Sequence, residues 1–208
     1  MQEVKNAQRL SRRVAGLKPS GIRKFFDIAA TMKDVISLGI GEPDFTTPAP
    51  ILEAGVRSLR QGETHYTSNA GKLELRQAIA ANLERLYGLH YDPLSEIIAT
   101  VGVSEALYLV MTALLDEGDE VIIPTPCFVS YQAEVHLAGG VPVEVACRLE
   151  NNFEVDPRDV AAAITPRTKA IMPMHYAGVG CAMSEIVSLA QARNLRVIED
   201  AAHALNAY

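Results

Sequence analysis

Strand-like and helix-like segments alternate along the second half of this chain, and this alternation constrains the fold more than any other feature. From about residue 96, apolar runs such as "EIIATVG", "DEVIIPTP", "VPVEVAC", "KAIMPMH" and "RVIED" alternate with segments of helical periodicity. Nearly continuous apolar runs are typical of parallel strands that are covered by helices on both faces. The sequence therefore predicts an α/β fold, a three-layer sandwich with a mostly parallel sheet.

The first part of the chain has a different pattern. Residues 1–34 carry mixed charge, and we predict an N-terminal arm with a short helix near "GIRKFFDIAATM". Residues 35–208 are predicted to form one large domain. It begins with a short strand in "VISLGIGEPDF" and continues with helices in "APILEAGVRSLRQG" and "LELRQAIAANLERLYG".

Composition excludes several classes of function. The net charge of -6 and the lack of a basic tract beyond Arg12 and Arg13 argue against a nucleic-acid partner. No apolar run is long enough to predict a membrane span, and the N-terminus lacks the apolar core of a secretory signal. Three cysteines without a CxxC pair argue against a disulfide framework or a metal site. We expect a cytoplasmic protein whose partners are small molecules and other protein chains.

Ligands of open parallel sheets bind at the carboxyl ends of the strands, so the turns there are the candidate sites. In "TVGVSEALY", Ser104 and Glu105 open a helix whose free N–H groups could hold an anion, although an ordinary helix cap has the same pattern. In "PTPCFVSY", Phe128 could stack on a planar ring or belong to the core. In "MPMHYAGVG", His175 could be catalytic or a structural hydrogen-bonding residue.

The last predicted strand ends in two carboxylates, Glu199 and Asp200. Burying a carboxylate is costly unless it has a cationic or strongly hydrogen-bonded partner. A heterocycle whose ring nitrogen lay against Asp200 would be kept protonated by it. His203 would face the same ligand if a helical turn followed. The alternative is that Asp200 only caps the next helix.

These segments resemble fold-type I, pyridoxal-phosphate-dependent aminotransferases. Over about residues 15–170, "ISLGIGEPDFTTP", "THYTSNAGKLELRQAIA", "TVGVSEAL", "EGDEVIIPTPCFVSY" and "LAGGVPVEV" resemble the class I/II amino-acid aminotransferases. Over residues 164–208, "ITPRTKAIMPMHYAGVGCAMSEI" and "VIEDAAHALNAY" resemble the sugar aminotransferase branch, the DegT/DnrJ/EryC1/StrS group. We therefore interpret the chain as a mosaic of two branches: a recombinant, a designed chimera or an unusual natural gene.

The resemblance implies that the cofactor is pyridoxal 5'-phosphate and assigns roles to particular residues. Ser104 and Glu105 would hold its phosphate, largely through backbone N–H groups, and Phe128 would stack on its ring. Asp200 would pair with the ring nitrogen, and His203 would bond near the 3-oxygen.

Three further positions follow from the same resemblance. His175 stands where class I/II has an asparagine that contacts the 3-oxygen. Tyr66 matches a tyrosine that reaches the phosphate in a neighbouring subunit, which implies a homodimer. Gly39 lies where the backbone approaches the substrate.

In this family a lysine holds the cofactor as a Schiff base and moves the substrate proton. It lies further along the chain than Tyr208, and no lysine present here matches it: Lys5, Lys18, Lys24, Lys33, Lys72 and Lys169. The small C-terminal domain of the family is also missing. We therefore expect an aminotransferase by ancestry, acting between an amino donor and a keto acid or keto sugar, that is inactive as these 208 residues.

Two alternatives remain open. The chain could be a non-catalytic fragment or chimeric protein that keeps only the fold, dimerisation or weak cofactor binding. A nicotinamide-dependent Rossmann enzyme would share the sheet pattern, but the chain lacks the glycine signature of that class.

Overall fold

The structure, a computed structural model, describes residues 9–17, 25, 28–29, 31–36 and 45–205. It divides the chain into two compact units, which we call the helical unit (18–99) and the sheet unit (1–17 with 100–208). The predicted boundary between an arm and a large domain at residue 34 stays a prediction. Most of the predicted short helix, and most of the predicted strand in "VISLGIGEPDF", lie outside the described residues.

The described residues include seven α-helices and four strands. The helices are α1 Arg12–Ala15, α2 Ala49–Arg60, α3 Leu73–Tyr87, α4 Gly102–Leu114, α5 Ser130–Leu137, α6 Pro157–Ala163 and α7 Met183–Ala192. The strands are β1 Glu120–Thr125, β2 Val141–Ala146, β3 Thr168–Ile171 and β4 Arg196–Val197. No helix in this part of the chain is long and apolar enough to cross a membrane.

In the helical unit, the turn before α3 depends on Gly71. Its φ of +90° lies in the region that favours glycine, and a Cβ built on it would lie 2.7 Å from the Cβ of Ala99. The backbone approaches closely here because the N–H of Ala99 donates to the carbonyl of Ala70 at 3.0 Å. Gly55, within α2, has an ordinary φ and no atom near its virtual Cβ.

The four strands of the sheet unit are all parallel, in the order β2-β1-β3-β4. Helices lie between the strands in sequence, and their apolar residues pack on both faces of the sheet. This confirms the predicted α/β fold with a parallel sheet.

Two core clusters fill the two faces. The first core cluster joins α4 and α5 to one face of the sheet and contains Leu107, Met111, Leu115, Val121, Ile123, Tyr131, Val135, Ala170, Met172 and Ile198. The second core cluster joins α6 and α7 to the other face and contains Ile122, Val145, Val155, Val160, Ile171, Ile186 and Ala190. Neighbours such as Ile122 and Ile123 belong to different clusters because successive strand residues point to opposite faces.

One strand prediction is wrong. The run "EIIATVG" is not a strand: within it, only Gly102 belongs to a regular element, as the first residue of α4. Its polar groups have local partners instead, since the Glu96 carboxylate accepts the N–H of Asp92 at 2.7 Å and Ala99 donates to Ala70. An apolar run becomes a strand only where a neighbouring strand pairs with it, and no strand among the described residues pairs with this one.

Glu120, at the amino end of β1, is a buried carboxylate with several partners. It accepts hydrogen bonds from the Thr165 hydroxyl at 2.5 Å and from the Arg167 guanidinium. The Thr165 bond lowers the pKa of Glu120 below its usual range; burial opposes this effect, and Arg167 supports it. These contacts stabilise the edge of the sheet that is opposite to the predicted ligand site.

Gly71→Ala should lower the free energy of unfolding by more than about 1 kcal/mol, because alanine is strained at this φ and its Cβ meets Ala99. The matched control Gly55→Ala should raise it by about 0.5–1 kcal/mol, since alanine favours an open helix position. Urea unfolding followed by circular dichroism measures both. Equal effects of the two substitutions would contradict this account of the turn.

Glu120→Gln should lower the free energy of unfolding by about 1–3 kcal/mol at neutral pH, because the amide loses two charge-assisted hydrogen bonds. The pKa of Glu120 is depressed in the folded state, so its contribution is present above the ordinary value of 4.5 and is lost as the pH falls below it. Urea unfolding at neutral and acidic pH should show the difference from wild type shrinking in acid. Glu150→Gln, at an exposed carboxylate, is the control. A deficit that stays constant with pH would exclude this role of the charge.

Candidate functional site

The carboxyl edge of the sheet brings together four of the predicted turns. Parallel strands all end at this edge, so the residues after β1, β3 and β4 meet there. A short loop joins the end of α4 to the amino end of β1, and α4 packs on the sheet through Leu107 and Met111, so its first turn is directed toward the carboxyl edge. All four turns belong to the sheet unit.

Asp200 is buried at this edge, with 7% of its surface exposed. Its backbone extends the sheet by a bridge to Met174. Its Oδ1 accepts the N–H of Ala202 at 2.9 Å, and its Oδ2 accepts the hydroxyl of Tyr131. Among the described residues, no lysine, arginine or histidine forms an ion pair with it. Asp200 is therefore a buried, oriented carboxylate without a cation of its own.

Tyr131 was missed by the sequence reasoning. It lies on α5, has 1% of its surface exposed and belongs to the first core cluster. Burial raises the pKa of its hydroxyl, and the bond to Asp200 raises it further, so Tyr131 remains a donor. The signal was present in "PTPCFVSY", where the tyrosine follows Phe128 by three residues and so shares its side of a helical turn.

Phe128 lies next to Tyr131, their ring centroids 5.8 Å apart in an edge-to-face arrangement. The side chain is half-exposed, at 48%, so it is not a core residue. Part of the Phe128 ring thus remains accessible at the edge where Asp200 extends the sheet.

Glu134, one turn further along α5, is a second buried carboxyl group that the sequence did not reveal. Its Oε2 has no hydrogen-bond partner among the described residues. Burial raises the pKa of Glu134, the neighbouring Ser130 hydroxyl opposes this effect, and the nearby charge of Asp200 supports it.

His175 and Glu199 form a pair on the other face of the sheet. The Nδ1 of His175 accepts the N–H of Cys181 at 3.1 Å, and its Nε2 lies 3.1 Å from the Oε1 of Glu199. Cys181 packs against the second core cluster, whereas Asp200 contacts Tyr131 of the first. The structure therefore does not bring the His175 side chain together with the Asp200 carboxylate. Its predicted contact with a cofactor stays a prediction.

His203 lies in the turn that follows Asp200. Its Nδ1 accepts the N–H of Ala177 at 3.2 Å, and its ring lies edge-on to Tyr176, with the centroids 5.7 Å apart. The segment is a turn, closed by a bond from the N–H of Ala204 to the carbonyl of Ala201. His203 is thereby held beside the loop that follows β3.

Ser104 and Glu105 occupy the first turn of α4, as predicted. The N–H groups of a first helical turn lack intrahelical acceptors, so the backbone of Ser104 offers a donor at this edge. Glu105 also uses its side chain, because its carboxylate accepts the N–H of Val101 at 2.5 Å. This bond closes the start of the helix.

The two remaining candidates do not belong to the described part of the sheet unit. Tyr66 belongs to the helical unit, where it is fully exposed and lines a shallow pocket together with Glu63, His65 and Lys72. Lys72 forms an ion pair with Glu63 at 2.6 Å. Gly39 lies outside the described residues.

Comparison with known proteins identifies the family. The model of the DegT/DnrJ/EryC1/StrS aminotransferase family matches residues 80–208, more than half of the chain. The chain belongs to this family. The match starts well before residue 164, so it includes much of the stretch that resembles class I/II. A chimeric origin stays a prediction.

Relatives that are named as amino-acid aminotransferases are also similar to this chain. An aspartate aminotransferase of Pyrococcus abyssi is 49% identical over 163 residues, which are 78% of this chain and 42% of that protein. Aromatic-amino-acid aminotransferase 2 of Thermococcus litoralis is 40% identical over 197 residues, 92% of this chain and 51% of that protein. The chain spans about half the length of the curated relatives it matches.

Solved structures of aminotransferases are similar to this chain as well. The aspartate aminotransferase of Thermus thermophilus with maleate superposes with a TM-score of 0.84 at 40% identity, over 91% of this chain and 52% of that one. The fold is therefore that of the fold-type I aminotransferases.

The hydrogen bonds of His175 indicate which of its two ring nitrogens carries the proton. Because Nδ1 accepts an N–H, the proton should reside on Nε2, facing Glu199. Two-bond ¹H–¹⁵N correlation spectra should show an unprotonated Nδ1 for this residue. Protonation of His175 on Nδ1 would contradict the geometry of this pair.

Proposed function

We propose that this chain forms the ring- and phosphate-binding part of a pyridoxal-phosphate-dependent aminotransferase. One observation carries the proposal: Asp200 is a buried carboxylate at the ligand-binding edge with no cationic partner among the described residues. Burying such a charge is unfavourable unless a cation arrives. A protonated ring nitrogen has the charge that this position lacks.

The other residues of the edge fit the rest of the cofactor. The accessible face of Phe128 suits stacking on a planar ring, and the first turn of α4 with Ser104 and Glu105 suits a phosphate. His203 is held at the same edge and would bond near the 3-oxygen. For His175 we propose an indirect role, in which it orients Glu199 and the end of β3.

The cofactor, when bound, supplies an electron sink for the substrate's α-carbon. The role of this chain would be to maintain that capacity, since Asp200 favours the protonated form of the ring nitrogen. The first turn of α4 and Phe128 would fix the position of the ring against the sheet.

We further propose that these 208 residues bind the cofactor but do not transfer amino groups alone. In the sheet unit, the described lysine is Lys169, which lies in β3 and faces Asp119 at 3.7 Å, near the amino edge. Lys72, in the helical unit, is paired with Glu63. Lys33, the other described lysine of the helical unit, is exposed. Within the described part of the sheet unit no lysine lies at the carboxyl edge, which also supports the alternative of a non-catalytic, cofactor-binding protein.

For the whole protein we propose a small-molecule amino donor and a keto acceptor. The relatives named for aspartate and for aromatic amino acids favour amino and keto acids, and the matching family model keeps keto sugars open. The exposed Tyr66 supports a homodimer in which it reaches a second copy. Three free cysteines suit a cytoplasmic location.

Asp200→Asn should weaken binding of pyridoxal 5'-phosphate about tenfold or more, because a neutral amide cannot stabilise a protonated ring nitrogen. The amide keeps the size of the carboxylate and can still accept from Tyr131 or Ala202. Equilibrium dialysis and the absorbance of the bound cofactor measure the affinity. Asp119→Asn is the matched control, since this carboxylate lies near the other edge of the sheet.

Wild type and Asp119→Asn should bind with similar affinity. A wild-type chain that binds no more tightly than Asp200→Asn would overturn the proposed site. Amino-group transfer by the 208 residues alone would overturn the proposal that they only bind.

A further inference from the structure

We propose that Tyr131 is a positioning residue for the cofactor ring: its hydroxyl holds Asp200, and its ring holds Phe128. The inference rests on the proposed function, since both of these side chains are proposed ring contacts. Tyr131 itself is buried and would not touch the ring. It would act through the two residues beside it.

The hydroxyl of Tyr131 completes the orientation of the Asp200 carboxylate. One oxygen accepts the N–H of Ala202, and the other accepts the phenol. Two donors in fixed positions, one from the backbone and one from α5, prevent the carboxylate from rotating. Each oxygen still has a second lone pair, so the group can accept a further donor such as a ring N–H.

The ring of Tyr131 packs against the ring of Phe128. Phe128 is half-exposed, whereas Tyr131 is packed among the residues of the first core cluster. Its edge-to-face contact connects the accessible ring to the core. Tyr131 thus fixes the position of both the Phe128 ring and the Asp200 carboxylate.

The chemistry of the position explains why a tyrosine is needed. A phenylalanine would fill the same space and keep the contact with Phe128, but Oδ2 of Asp200 would lose its only described donor. A buried carboxylate without that donor would be less favourable and free to turn. The hydroxyl should therefore affect recognition of the ring nitrogen more than stacking or phosphate binding.

Two probes separate these effects: pyridoxal 5'-phosphate and its analogue in which a C–H replaces the ring nitrogen. Tyr131→Phe should weaken binding of pyridoxal 5'-phosphate about tenfold and binding of the analogue much less. Tyr108→Phe is the matched control, because this half-exposed tyrosine of α4 has no side-chain hydrogen bond in the described structure. It should leave both affinities unchanged.

The outcomes are distinct. Equal losses for both probes would mean that Tyr131 only supports the fold, and unchanged affinities would mean that it has no role; either result overturns the inference while the cofactor site stands. A wild-type chain that binds neither probe would overturn the proposed function, and the inference with it. If the wild-type chain bound both probes with equal affinity, Asp200 would be excluded as the partner of the ring nitrogen.

Should Tyr131→Phe fail to fold, the wild-type chain provides a second test. Tyr131 is the one buried tyrosine among the described residues, so its hydroxyl proton should exchange slowly and be visible by NMR with ¹³Cζ-labelled tyrosine. This signal should shift on addition of pyridoxal 5'-phosphate and shift less with the analogue. An identical response to both probes would overturn the inference.

Discussion

The bond between Tyr131 and Asp200 is the interaction on which the site depends. A strand that leaves a hydrophobic core with a carboxylate has to compensate for the loss of water around that charge. Here the compensation comes from one phenol and one backbone N–H, and no described cation contributes. The carboxylate is thus stable enough to be buried and still suited to a cationic ligand.

The parallel sheet explains why distant segments of sequence meet at this bond. Tyr131 and Asp200 are 69 positions apart. They meet because α5 follows the end of β1, and Asp200 extends the sheet beyond β4. The same sheet separates neighbours: Asp200 points to the face of α4 and α5, whereas Glu199 points to the other face and approaches His175. Because successive residues point to opposite faces, Asp200 and not Glu199 can face a ligand beside Phe128.

The two edges of the sheet use buried carboxylates differently. At the amino edge, Glu120 is surrounded by hydroxyls and an arginine, so its charge is neutralised within the unit. At the carboxyl edge, Asp200 has hydrogen bonds but no described counter-ion. The carboxyl edge is therefore the one suited to a cationic ligand, because an uncompensated buried charge favours binding of the opposite charge.

The sequence by itself determined the alternation of strands and helices, the parallel sheet and the turns that could hold a ligand, because apolar periodicity and turn residues are local properties. It pointed to Ser104, Phe128 and Asp200 through short motifs. It was wrong about "EIIATVG", and it missed Tyr131 and Glu134, whose importance depends on partners in other elements. The tertiary structure alone decided that Asp200 and His175 lie on different faces, and that a buried tyrosine holds the carboxylate. Such facts depend on which elements pack together, and pairwise packing across long separations leaves no periodic trace in a single sequence.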